Sequence, residues 1–405
     1  RPAFKTDIFL TDKLQRLHTA DNAQKTNSSK EASSAKMTNI EVKAIPLALY
    51  IHIPWCVKKC PYCDFNSHEG QPDESYVEAL LRDLEHDLPY LQGRSIHSIF
   101  IGGGTPSLLG GSELEQLMQG LYQSLNIDKG AEITLETNPG TFEIDKFARF
   151  RDAGINRLSI GVQSFNDQHL RQLGRIHSSD EAIHAIEKAK EVGFDNFNID
   201  LMHGLEGQTI KQCLSDIEIA LSFNSTHISF YQLTLEPNTL FAKYPPKLPD
   251  DEDIWAMGAK GAVMIESQGH RQYEISAYGK IPSKHNMNYW QFSDYLGIGA
   301  GAHGKITDGE TQTIFRTLKP KSPKDYMVKF QGKKLDSTTK IIENTTFEFM
   351  LNALRLKQGF DLELFELRTG KSRDVIDDKL SNARDLGLLS VENNWVKPTA
   401  KGFNF

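Results

Sequence analysis

The chain has 405 residues, a formal net charge of −7, 39% hydrophobic and 24% charged residues; these are ordinary globular proportions, enough for two or three domains or one barrel with an appendage. The negative charge leaves no overall footprint for nucleic acid, no apolar run approaches the ~20 residues of a membrane span, and no secretory h-region is visible near the start. Four cysteines without a pairing pattern argue against a disulfide framework and suit a reducing cytoplasm.

Residues 1–40 read as a tail. From His18 to Lys36 the chain is mostly Ser, Asn, Lys, Ala and Thr, too poor in apolar side chains to offset its ordering entropy. Met37 would suit a start codon, which would make the preceding stretch extraneous; the amphipathic run Ile8–Leu17 keeps a functional tail open. From about Leu47 to Leu235, strand-length apolar runs alternate with stretches of helical period. The runs are Ala48–Ile53, Ile96–Ile101, Ile133–Thr137, Arg157–Gly161, Phe197–Leu201 and His227–Leu233. Helices are expected over Glu74–Leu88, Ser112–Leu125, Asp145–Ala153, Asp180–Val192 and Thr209–Leu221. Asp73 or Ser75, Asp145, Ser179 and Thr209 are N-cap candidates, and Gly154 and Gly193 stand where helices should stop. Six such units in succession predict a parallel α/β sheet over 41–245, either a partial (β/α)6 barrel or an open doubly wound sheet.

Residues 246–320 should complete this unit, with a helix over Asp250–Ser267 and a stretch rich in Tyr, Asn, His and Gly from Tyr273 to Gly304. Residues 321–405 read as a small C-terminal α/β domain of winged-helix-like pattern: helices around Phe347–Leu356 and Arg373–Gly387, then two short strands about the Asn393-Asn394 turn. Asp374, Asp377, Asp378 and Asp385 crowd its main helix, so a structural or protein-contact role fits better than DNA binding.

Three cysteines fall within eight residues, Cys56-Val-Lys-Lys-Cys60-Pro-Tyr-Cys63, just after the first apolar run. Three thiolates can hold three irons of a [4Fe–4S] cluster and leave the fourth open, whereas electron-transfer clusters use four cysteines. Zinc is the competing reading, but it wants four N/S ligands. Cys213 is isolated, and His52 or His68 makes no familiar zinc spacing with the three.

Active sites collect at the C-terminal edges of parallel sheets. Polar or Gly-rich signals fall there after each run: the cysteine loop, Gly102-Gly103-Gly104-Thr105-Pro106, then Glu136, Asn138 and Pro139, Gln163 and Ser164, Asp200, and Gln232 with Thr234. One alone would mean little, and Glu136 alone reads best as a salt-bridged acid. Together they point to one shared pocket, with the glycines letting backbone groups approach a ligand. Gly299-Ala-Gly301-Ala-His-Gly304 matches G-x-G-x-x-G, but Lys305–Glu310 reads as a turn where a dinucleotide site needs a helix. His285-Asn-Met-Asn-Tyr-Trp290 is the densest aromatic-polar cluster outside the cysteine loop. A lone histidine is usually a hydrogen-bonded structural residue; beside Met287, Tyr289 and Trp290 it also suits a flat apolar ligand with a metal centre.

From Leu47 onward the chain resembles the radical S-adenosylmethionine superfamily, on the C-x3-C-x2-C motif with Tyr62 and Phe65 close by, the triple-Gly loop and the six units. Tyr50-Ile-His-Ile-Pro-Trp-Cys56, Gly102–Pro106 and Gly161-Val-Gln-Ser-Phe165 resemble the branch that holds oxygen-independent coproporphyrinogen III dehydrogenase and a group of haem chaperones. The resemblance implies a partial (β/α)6 barrel and a [4Fe–4S] cluster on Cys56, Cys60 and Cys63. It implies S-adenosylmethionine on the open iron, lined by Tyr50, Tyr62, Gly104 and Glu136. Gly103, Thr105, Gln163, Arg175 and Asp200, and less directly Thr234, match contacts to a second such molecule in the dehydrogenase. That enzyme has a further cysteine two residues past the motif, where this chain has Phe65, and a structured N-terminal extension. The segment His285–Trp290 fits the H-N-x-x-Y-W pattern of the chaperones. The resemblance therefore implies a haem carrier with His285 as candidate ligand, acceptor haemoproteins (respiratory ones foremost), an electron donor for the cluster and peripheral membrane contact through acceptors. It assigns no catalytic side chain; the alternative is the decarboxylating dehydrogenase.

Overall fold

The computed structural model describes residues 39–140, 144–332 and 338–404. Nearly all of the expected tail, including Ile8–Leu17, lies outside the described residues. Ile40 is already buried, and its N–H donates to Gln312 Oε1 at 2.6 Å.

All six expected strands form and pair in parallel, in sequence order: β1 (Leu47–Ile53), β2 (Ile96–Gly103), β3 (Ile127–Thr137), β4 (Arg157–Gln163), β5 (Phe197–His203) and β6 (His227–Gln232). The expected helices follow them: α1 (Tyr76–Asp87), α2 (Gly111–Ser124), α3 (Phe147–Asp152), α5 (Ser179–Glu191), α6 (Ile210–Ser222) and α7 (Asp251–Ser267), with a short α4 (Asp167–Gln172) before α5. The α5 cap is Ser178, one residue before the expected Ser179. Its hydroxyl accepts from Glu181 N–H while Glu181 accepts from Ser178 N–H at 2.8 Å, and Thr209 and Gln212 make the same reciprocal box on α6. Likewise α3 starts from Lys146, not Asp145.

The strands have two distinct faces. Leu47, Leu49, Ile51 and Ile53 of β1 join Leu80 and Leu84 of α1 in the main apolar core. Their alternates Ala48 and Tyr50 belong to other clusters, with Trp290 and Tyr295 and with Phe100 respectively. One face of the curved sheet thus packs on helices while the other encloses an interior.

The sheet extends beyond the six expected strands. Antiparallel β8 (Ala277–Gly279) and β7 (Arg271–Glu274) continue from β6. On the other side β9 (Asp294–Ile298) pairs in parallel with β1, followed by antiparallel β10 (His303–Asp308), β11 (Thr313–Leu318) and β12 (Thr338–Ile341). The order of the twelve strands is β12-β11-β10-β9-β1-β2-β3-β4-β5-β6-β8-β7, so the end strands do not meet and the barrel is partial. Lys305–Asp308, expected as a turn, is strand: Gly299–Ala302 makes the turn between β9 and β10 instead. The helix α8 (Lys284–Trp290) carries the His285–Trp290 cluster and closes the N-terminal end of the strand array, against Ser98, Ala48 and Tyr295.

After α9 (Pro323–Gln331) and β12, the winged-helix-like unit holds α10 (Thr345–Ala353), α11 (Leu362–Thr369), α12 (Asp377–Asp385) and a three-stranded sheet. Sequence periodicity missed α11 and the two-residue strand Phe360–Asp361. Asn393 and Asn394 have φ of 49° and 68°, so the hairpin turn is of the primed kind that asparagine tolerates. The unit shares a second core with Ile40, Ile45, Phe292 and Ile314.

One buried ion cluster joins α1 to the strand extension. Lys319, fully buried just after β11, donates to Asp83 Oδ1 and to Asp87 Oδ2 (2.8 Å), and Tyr326 of α9 donates to Asp83 Oδ2 at 2.7 Å. Burial and the pair's second carboxylate push Asp83 up to about 6 against the pull of Lys319. Lys319→Met should cost about 3–5 kcal/mol near neutral pH, because it strands two buried carboxylates. Loss of the cation raises the folded-state acid pKa further, so the folded state binds more protons than the unfolded chain and the deficit should shrink as pH falls toward 5. Urea unfolding of wild type and variant at both pH values checks this; equal deficits would refute it.

Candidate cofactor site

The strand-end signals converge. An open cavity of about 1070 Å³, its mouth included, sits at the C-terminal ends of the parallel strands and is walled by Cys56, Cys60 and Cys63. Tyr62, Gly103, Gly104, Thr105, Glu136, Asn138, Gln163, Arg175 and Asp200 all reach its wall. Five strand-end residues do not. Ser164 turns away to donate to Asp216 Oδ2 at 2.7 Å, Thr234 donates to Glu236 Oε1 at 2.7 Å, and Gly102, Pro139 and Gln232 are outside the lining. Nor does Tyr50: it packs near Phe100, which does line the cavity, and its hydroxyl donates to His52 Nδ1 at 2.7 Å. It supports the wall from behind.

The cysteine loop is held at both ends. Trp55–Cys56 pairs in parallel with His68–Glu69, and Lys59 Nζ donates to the carbonyls of Phe65 and Ser67 at 3.2 and 3.1 Å. Asn66 Nδ2 ties the loop to the β9–β10 turn through the carbonyl of Ala300 at 2.9 Å. Two backbone bonds knit the loop to the triple glycine, Gly104 N–H to Ile53 C=O at 2.8 Å and Thr105 N–H to Trp55 C=O at 2.7 Å. These explain the glycines. A Cβ on Gly104 would collide with the Trp55 carbonyl and lie 2.9 Å from Cys56 Sγ, and Gly103 has φ +122°, a conformation other residues rarely adopt.

Glu136 is half-buried on the cavity wall, with one hydrogen bond to the loop, accepting from Gly103 N–H at 3.0 Å. Burial pushes its carboxyl up to about 8, and nearby Asp200 adds to the rise. Such a group favours a cationic ligand, which would return it to the ionised form. Arg175 donates to the carbonyl of Gly161 at 2.8 Å and reaches Cys60 Sγ at 3.8 Å, so it bridges β4 to the motif. Gln163 has φ +73° and accepts from Tyr231 O–H at 2.6 Å.

Sequence reasoning missed the deeper wall: Arg157, Ser159, Asn198, His227, Ser229 and Asn286. The signal was period two. Polar residues recur at 157 and 159, at 198 and 200, and at 227 and 229, on parallel strands that are normally apolar on both faces. His285 is not on the wall. It is fully buried in the floor, with Nδ1 3.1 Å from Ser98 Oγ, its ring 5.1 Å from that of Phe100 and its N–H donating to Glu132 Oε1 at 3.2 Å.

Residues 50–220 match the radical SAM superfamily, and residues 343–405 the HemN C-terminal domain. A protein of Escherichia coli (strain K12) named heme chaperone HemW is 48% identical over 369 residues, covering 89% of this chain and 96% of its own. The chain belongs to the HemW family of radical SAM proteins. Its HemW relative in Bacillus subtilis (strain 168) is 35% identical, over 87% of this chain and 95% of that one. The solved structure of coproporphyrinogen III oxidase (HemN) from Escherichia coli superposes with a TM-score of 0.74 at 21% identity, over 95% of each chain, and shares the fold.

Radical SAM membership implies a [4Fe–4S] cluster and S-adenosylmethionine, and the residues of this HemW-family chain fit both. Three thiols face one cavity, with a close-packed glycine loop behind Cys56 and the half-buried acid Glu136 on the same lining. Burial pushes the Cys56 thiol up to about 11, tempered by the Thr105 and Ser67 side chains. In cluster-free protein at pH 8, iodoacetamide should therefore label Cys56 roughly tenfold or more slowly than Cys60 and Cys63, since the thiolate is the nucleophile. Gly104→Ala should abolish that lag by displacing the loop; peptide mapping of labelled protein would show equal rates in wild type if the packing were wrong.

Proposed function

We propose that this chain binds haem and delivers it to acceptor haemoproteins, with a [4Fe–4S] cluster on Cys56, Cys60 and Cys63 and S-adenosylmethionine in the adjoining cavity. The observation that carries this reading is the 48% identity to a protein named heme chaperone HemW, sustained over 96% of that protein. The residue two places past the motif supports it: Phe65, on the cavity wall, stands where the dehydrogenase resemblance calls for another cysteine.

When bound, the cluster supplies one electron at an open iron and S-adenosylmethionine supplies a reducible sulfonium. The chain's own residues bind and orient. Glu136 would take the ligand ammonium, which offsets the cost of its buried charge. Gly103 and Gly104 let the backbone approach the ligand, with Thr105 beside them, and Tyr62 lines the cavity from the cysteine loop. Asp200, on the deeper wall, would accept from ligand hydroxyls, and Gln163 and Arg175 line the same cavity. His285 remains the proposed haem ligand. In this conformation Phe100 covers it, so ligation requires the floor to open.

The proposed setting is the cytoplasm, with respiratory haemoproteins as acceptors, an electron donor for the cluster, and peripheral membrane contact through the acceptors. Among the described residues no helix is long and apolar enough to cross a membrane.

Haem titration of anaerobically reconstituted protein should show saturable binding, and His285→Ala should weaken it at least about tenfold, the range for disturbing a metal's ligand set. Unchanged affinity would remove that ligand assignment. Incubation with coproporphyrinogen III, reductant and S-adenosylmethionine should yield no protoporphyrinogen; its formation would favour the dehydrogenase.

A further inference from the structure

The barrel floor and the cofactor cavity are joined by a line of buried hydrogen bonds. Asn286 of α8 donates from Nδ2 to Tyr273 Oη at 2.9 Å. Tyr273 Oη lies 2.8 Å from His227 Nε2, His227 Nδ1 lies 2.7 Å from Asn198 Oδ1, and Asn198 Nδ2 donates to Asp200 Oδ1 at 2.8 Å. Asn198, His227 and Tyr273 are all buried.

The direction of every bond is determined. Asn198 spends its amide hydrogens on Asp200 Oδ1 and on Ser159 Oγ (2.8 Å each), so its Oδ1 is the acceptor facing His227. His227 must then carry its proton on Nδ1, and its Nε2 must accept from Tyr273. The Tyr273 hydroxyl, donating to His227, is left to accept from Asn286, which is the bond observed. Burial and the neighbouring Arg157 guanidinium keep His227 neutral, as this pattern requires. Each group has one arrangement that satisfies its neighbours, and the chain ends on an acidic group of the cavity wall.

We infer that Tyr273 and Asn286 are positioning residues for Asp200, so that the helix carrying His285 is energetically linked to the S-adenosylmethionine pocket. This rests on the cofactor reading proposed above. Tyr273 is outside the cavity lining, so it acts on a ligand only through the residues between. Without its hydroxyl, His227 Nε2 is left buried without its donor, the ring is free to tilt off Asn198, and Asn198 Oδ1 is then held by Ser229 Oγ alone (3.0 Å), which loosens its grip on Asp200. In the other direction, a displacement of α8 moves Asn286 and is felt at Asp200; such coupling is reciprocal for two ligands.

The test is equilibrium dialysis of S-adenosylmethionine against anaerobically reconstituted full-length protein. Tyr273→Phe should loosen binding about three- to tenfold, the fold-change of one lost buried hydrogen bond, with wild-type iron content and far-UV circular dichroism. Asn286→Ser, too short to reach Tyr273, should act in the same direction; because Asn286 itself lines the cavity, it serves in place of Tyr273→Phe only when its effect, too, disappears in the Asp200→Ala background. In an Asp200→Ala background, Tyr273→Phe should have no further effect, because the group it orients is gone; a merely structural role would give the same loss in both backgrounds. Unchanged affinity in the single variants, or equal losses in the two backgrounds, overturns the inference alone. Wild-type protein that binds no S-adenosylmethionine overturns the cofactor reading, and this inference with it.

Discussion

The close approach of two loops governs the site. The first parallel strand delivers Cys56, the second delivers Gly103 and Gly104, and adjacent pairing of β1 with β2 sets Ile53 opposite Gly103. Backbone bonds then continue past the strand ends into the loops, from Gly104 to Ile53 and from Thr105 to Trp55. Only residues without a Cβ permit this spacing at position 104, because the space is filled by the Trp55 carbonyl and Cys56 Sγ. Glu136, arriving on the third strand, accepts from the same loop. Three strands thus place thiol, backbone and carboxyl on one wall before any cofactor binds, and a preorganised wall lowers the ordering cost of binding.

That wall needs a rigid periphery, and the additions to the barrel supply it. The β9–β10 turn presents Ala300 to Asn66 of the cysteine loop, while Ala300 N–H donates to Tyr76 and Tyr76 donates to the His52 carbonyl, 2.8 Å each. Gly299 N–H donates to Asp83, which holds Lys319. The glycine-rich segment that mimics a nucleotide fingerprint is therefore a tie between the cysteine loop and the buried ion cluster. A charge pair of this kind is costly to bury and more costly to break, so it fixes the strand extension to α1 in one arrangement.

The six parallel units were legible because each strand carries an apolar run and each helix a stripe of period 3.6; the loop motifs were legible because they interrupt those patterns at strand ends. What escaped had weaker local signals. β9 to β12 are four to six residues long, and β9, which joins them to the barrel, pairs with a strand remote in sequence, with Asp294 beside Leu47. α11 has apolar residues spread around its circumference and little amphipathic contrast, and its one-residue gap from Phe360 blurs its start. The inward polar residues of β4 to β6 were visible as letters, but a parallel strand is expected to be apolar on both faces. Tyr50 carries a family pattern but stands one layer behind the wall, because Phe100 on the neighbouring strand takes the place in front.

The H-N-x-x-Y-W helix illustrates how composition and position can diverge. Its aromatic and polar letters suit a haem pocket, yet in the folded chain they close a polar floor. His285 meets Ser98, Asn286 meets Tyr273, Asn288 meets His97 and the Asp294 carbonyl, and Trp290 lies under the Arg355 guanidinium at 4.3 Å. Each bond satisfies a group that would otherwise be buried at a cost. Haem ligation by His285, as proposed, must exchange these partners together: the Ser98 contact breaks and Phe100 leaves its place over the imidazole. Phe100 is also cavity wall, so one ring borders both the proposed haem ligand and the cofactor cavity; were haem to take His285 as proposed, part of that wall would have to move with the floor.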